Sequence, residues 1–84
     1  MSIRGALFRE FSNIVVRHIN EYTIPQYGDA PNDNVETWSA VDCVRTIEKY
    51  CKRFGKNARH GQDKIDMIKI AHYAQIAHDK IKGD

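Results

Sequence analysis

The sequence predicts an all-α protein, a three-helix domain over residues 1–84 that completes a helical bundle by dimerisation. Three observations carry this. Apolar residues recur at helical spacing in three segments separated by turn-forming residues. A capping motif and a glycine bound the middle segment. The last segment carries two apolar ridges instead of one, and a chain of 84 residues has a marginal core of its own.

In the first segment Ile3, Leu7, Phe11, Ile14, Ile19 and Tyr22 mark an apolar face, with Arg4, Arg9, Glu10, Asn13 and Arg17 mostly between them. A helix over about residues 2–22 is expected. Pro25, Gly28, Pro31 and the run Asn32, Asp33, Asn34 then make a turn-rich connection, long for a small bundle. Tyr27 and Trp38 flank its polar centre, and pinning the loop to the core is their expected role ahead of stacking on a base.

The second helix starts at Ser39, where Ser39-Ala40-Val41-Asp42 fits the capping box, and Trp38 and Cys43 fit the flanking hydrophobic staple. Ala40, Cys43, Val44, Ile47, Tyr50, Cys51 and Phe54 then share one face, opposite Arg45, Lys49, Lys52 and Arg53. Gly55 supplies the stop, because glycine tolerates the left-handed backbone of a helix C-terminus. Cys43 and Cys51, eight apart on one helix, are too far separated for a disulfide and lack zinc or redox spacing. Both are expected as reduced thiols packed in the core.

The third helix begins between residues 57 and 62 and runs to about residue 82, with Asp63 and Asp66 near its positive end. Met67, Ile70, Ala71, Ala74, Ala77 and Ile81 form one ridge, and Ile65, Ile68, His72 and Ile76 form another on roughly the opposite side. The other two helices cover one ridge. A second copy of the chain is expected on the other, giving a homodimer.

Composition narrows function by exclusion. At 42% hydrophobic and 29% charged residues the chain is ordinary for a soluble protein. No apolar run approaches a membrane span. The N-terminus does not read as a secretory signal, so a cytoplasmic location is expected. A net charge of +2 hides an asymmetry: −3 over residues 1–42 against +5 over residues 43–84. The basic half offers a local positive field to phosphate groups, and nucleic acid stays open as a partner.

Within that half Arg45, Lys49, Lys52, Arg53, Lys56 and Arg59 accompany a single carboxylate, Glu48. Lys49, Arg53, Lys56 and Arg59 are the candidate phosphate ligands, set against the alternative of a solvated helix face whose last cations serve the dipole. Residues 55–61, Gly-Lys-Asn-Ala-Arg-His-Gly, do not form a Walker loop, because five residues separate the glycines and no Lys-Ser or Lys-Thr follows. Their amides can form an anion nest beside Lys56 and Arg59. Glu48, Asp63 and Asp66 are the only carboxylates near enough in sequence for a magnesium cluster, against the plainer role of helix-start and ion-pair residues. His72 and His78 lack the four-residue spacing of paired helical zinc ligands. No Ser or Cys stands in a recognisable nucleophile arrangement.

Glu48-Lys49-Tyr50, Arg53, Gly61, Asp63, Asp66, Lys69 and His72-Tyr73-Ala74 resemble, over about residues 27–81, the order of residues in small helical phage and prophage proteins. The nearest themes are MazG-like nucleotide pyrophosphohydrolases and phage nucleotide-metabolism domains with a Lys-Tyr-x-x-Arg helix followed by an acidic helix. The resemblance implies a nucleoside phosphate as ligand. Under it Glu48, Asp63 and Asp66 correspond to magnesium-holding carboxylates, but the Glu-x-x-Glu half is incomplete because Cys51 stands three residues after Glu48. The expected function is therefore a phage-type accessory protein that binds a nucleotide or other phosphate-bearing ligand, with no resident cofactor. A magnesium-dependent nucleotide pyrophosphohydrolase and a protein-interaction module without small ligand are the alternatives.

Overall fold

The computed structural model describes residues 2–28 and 37–81 and is all-α. Helix α1 spans Ile3–His18 and passes through a π-helical turn, Ile19–Thr23, into one further α-turn, α2, Ile24–Tyr27. Helices α3, Ala40–Lys52, and α4, Gln62–Lys80, are the second and third helices of the sequence reading. No strand occurs among the described residues. Much of the connection between α2 and α3, including Pro31 and Asn32 to Asn34, lies outside them.

Ser2 starts α1 with its Oγ accepting the Gly5 N–H at 2.9 Å. The first helix overruns its expected end at Tyr22 and carries on past Pro25 to Tyr27. The π turn explains how. Proline has no N–H to donate and its ring would strike the carbonyl four residues back in a continuous α-helix. One residue is taken up as the Ile24 N–H reaches back to the Ile19 carbonyl, and Pro25 then falls in the first turn of a new α segment, where its N–H is not needed.

Helix α3 begins with the expected capping box: Ser39 Oγ accepts the Asp42 N–H at 3.3 Å, and the Asp42 carboxylate accepts the Ser39 N–H at 2.9 Å. Gly55 and Gly61 have φ of 78° and 81°, so both bends of the connection to α4 use the left-handed region. The connection folds α3 back against α4.

The α3–α4 hairpin is the most closely packed part of the molecule, and Cys43 and Ala77 are its buried apolar residues. Trp38 stacks on Tyr73 with centroids 6.1 Å apart, and Tyr73 on Tyr50 at 6.2 Å. Trp38 thus pins its segment to α4, as expected. Tyr27 is exposed instead. Of the two cysteines only Cys43 is buried. Cys51 is exposed, because eight residues of helix advance it about 80° around the axis, off the packed face.

Helix α4 does not present its two ridges to two packed neighbours. Asp66, Ile70, Tyr73 and Ala77, spaced i, i+4, i+7 and i+11, occupy the arc toward α3, while Met67, Ala74 and Ile81 remain exposed. The ridge assigned to a second copy, Ile65, Ile68, His72 and Ile76, instead lines an open cleft whose other wall is the end of α1 and the π turn. Helix α1 has no buried residue at all.

Candidate functional site

Two features of this architecture bring chemistry together: an ion-pair node at the base of the α3–α4 hairpin, and the cleft between the first helix and α4. The node is centred on Asp66, which is 1% exposed. Arg53, at the C-terminal cap of α3, grips it bidentately, Nε to Oδ2 at 2.8 Å and Nη2 to Oδ1 at 2.6 Å. Gln62, one turn earlier on α4, donates to Oδ1 at 2.9 Å, and Asn57 of the connection donates to Oδ2 at 3.2 Å. The guanidinium, helped by the Gln62 and Asn57 donors, outweighs burial and holds the Asp66 carboxyl far below the usual carboxylate range.

Asp63 completes the arrangement, accepting from Asn57 Nδ2 at 2.7 Å and from the Gly55 N–H at 3.3 Å. The glycine loop does face anions, and they are the chain's own Asp63 and Asp66. Nothing in the node is left unsatisfied, since no buried side-chain N or O among the described residues lacks a partner. Arg53 also lies over the Tyr50 ring, 4.8 Å from its centroid, which joins the node to the aromatic stack.

This arrangement disperses the residues singled out in the sequence. Arg53 is bound to Asp66. Lys49 and Lys56 are exposed and do not line the cleft, whereas Arg59 does. Glu48 is exposed on α3, and no three His, Cys, Asp or Glu side chains among the described residues are placed to hold a metal ion. The magnesium set Glu48, Asp63 and Asp66 is therefore not assembled in this structure: both Asp66 oxygens and one Asp63 oxygen already accept from N–H donors.

The cleft encloses about 1040 Å³. Its apolar wall comes from Ile14, Ile19 and Ile24 on one side and Ile65, Ile68 and Ile76 on the other. Tyr22 and Tyr27 sit at it with more than half of their surface exposed, and the edge of the stack formed by Trp38, Tyr73 and Tyr50 closes another side. Three permanent cations, Arg17, Arg59 and Lys69, line it against one carboxylate, Glu21.

Two histidines face each other across the cleft. Burial, and then the nearby Lys69 charge, lowers the His18 pKa; burial, and then His18, lowers that of His72. Both imidazoles are accordingly neutral at pH 7, and each keeps one N–H donor and one acceptor. Burial raises the phenol pKa of Tyr50 and Tyr73, so both stay protonated. The site thus offers apolar walls, aromatic faces and fixed positive charge, the combination that suits a planar ligand carrying an anionic group.

Lys69, Arg17 and His18 were not singled out by residue type, and their signal lies in register. Lys69 stands four residues after Ile65, three before His72 and seven before Ile76, so one helical face carries all four. His18 holds the equivalent place between Ile14 and Tyr22 on the first helix. No protein-family model, curated protein or solved structure matches the chain.

Proposed function

We propose that this protein is a cytoplasmic accessory protein of phage or prophage type that binds a nucleotide or a related phosphate-bearing ligand in the cleft between its first helix and α4. The observation that carries the reading is the cleft's make-up: exposed Tyr22 and Tyr27 rings beside Arg17, Arg59 and Lys69, with Glu21 the single opposing carboxylate. A base stacks on a tyrosine ring, gaining about 1–3 kcal/mol. The phosphate lies toward Lys69 and Arg59, and the neutral imidazoles of His18 and His72 hydrogen-bond to it. The resemblance of residues 27–81 to phage nucleotide-metabolism domains supports the same ligand class. Relative to the sequence-based set, Arg59 is kept, Lys69 and Arg17 are added, and Arg53 becomes the residue that holds α3 to α4.

Calorimetric titration with nucleoside mono- and triphosphates, with and without magnesium, tests this. Lys69→Ala and Arg59→Ala should each weaken binding about tenfold, equivalent to about 1.4 kcal/mol, and Lys49→Ala should leave it unchanged. Absence of binding at millimolar nucleotide, or an affinity indifferent to the Lys69→Ala and Arg59→Ala changes, refutes the reading.

A further inference from the structure

The N-terminal half of α1 lies outside the cleft and carries the largest continuous apolar surface the described residues expose. Ile3 is 82% exposed, Leu7 59%, Phe8 57% and Ile14 50%. Together with Phe11, whose ring meets Phe8 edge to face at 6.1 Å, they fall within an arc of about 140° along the helix. Arg9, Asn13 and Arg17 lie outside that arc. A helix of 16 residues with no buried side chain is marginal in water on its own propensity.

We infer that this stripe is the surface on which a second copy of the chain docks, α1 against α1 in antiparallel orientation about a twofold axis. The area argument favours a protein of matching size and shape. The chain exposes 6788 Å², whereas a compact monomer of its mass exposes about 5100 Å². The excess, about 1700 Å², exceeds the ~800 Å² each partner contributes to a standard interface, so α1 can be covered with the cleft still open. A stripe that is apolar at its centre and flanked by charge is also self-complementary, as a twofold contact requires.

Orientation follows from charge and register. A parallel pair sets Arg4 beside the partner's Arg4 and aligns both helix dipoles unfavourably. An antiparallel pair places Phe11 nearest the axis and brings Leu7 opposite the partner's Ile14. This interface is independent of ligand binding, since Ile3, Leu7 and Phe8 take no part in the cleft.

Light scattering on the full chain measures the mass, and cysteine cross-linking measures the orientation. The native chain should show twice the monomer mass at tens of micromolar. Leu7→Arg with Phe8→Arg should give the monomer mass with helical content intact, because neither side chain packs in the monomer core. In a Cys51→Ser background, Phe11→Cys should oxidise to a covalent dimer while Ile3→Cys should not. A monomeric native chain, a dimer that survives the double arginine change, or cross-linking through Ile3→Cys alone overturns the inference. Nucleotide titration of the monomeric variant separates this failure from failure of the ligand reading.

Discussion

Asp66 shows how a single residue acquires its role from its surroundings. A carboxylate that is 1% exposed is tolerated here because four N–H donors from three residues converge on its two oxygens. Removing it leaves the Arg53, Gln62 and Asn57 donors without their acceptor, so Asp66→Ala should destabilise the chain by about 3 kcal/mol in urea unfolding at pH 7. Acid should tell the same story. The folded-state pKa lies far below the ordinary 3.8, so as pH falls past that value the unfolded chain takes up a proton the folded chain refuses. The Asp66 contribution is complete above about pH 5 and declines progressively below about pH 4. Asp66→Asn should flatten that part of the acid limb, and an unaltered slope would show that the node does not control acid stability. At this scale the sequence placed Asp66 at a helix start with basic neighbours, and Arg53 among the cations. It could not show that the two meet, because thirteen residues and a turn separate them.

Among the elements, those set by local interactions are the most legible in the sequence. The Ser39 capping box depends on residues three apart, and it forms as read. Ser39→Ala should lower stability by about 1 kcal/mol through loss of the Asp42 N–H acceptor, measurable as a lower urea midpoint at unchanged m-value. Gly55 likewise takes the left-handed conformation its position after the helix suggests. Pro25 read as the start of the connection, yet the chain absorbs it within the helix through the π turn. A local rule against proline gave way there because a single inserted residue moved it to a position where the rule does not apply. Cys51 fell on the apolar side of a seven-residue face too broad for α4 alone to cover, and it is exposed along with Val44 and Phe54.

Across the whole molecule the helices are spread more widely than a closed bundle of this length. The radius of gyration is 13.8 Å, against about 11.8 Å for a compact domain of 84 residues. The open cleft and the bare face of α1 are consistent with that expansion. If α1 pairs with a second copy, stability is linked to association, and the melting temperature should rise with protein concentration across the micromolar range. A melting temperature independent of concentration would indicate that the folded monomer needs no partner. The sequence by itself determined the helical class, the positions of the caps and the apolar faces, because periodicity and capping act over three or four residues. Which faces meet was decided only in three dimensions, by contacts between residues far apart in the chain. Tertiary structure gave the basic loop to Asp63 and Asp66, turned the ridge of Ile65, Ile68, His72 and Ile76 into a cleft wall, and left α1 uncovered. The physical reason is that several apolar faces competed for one small hairpin, and α3 with α4 could satisfy only part of them.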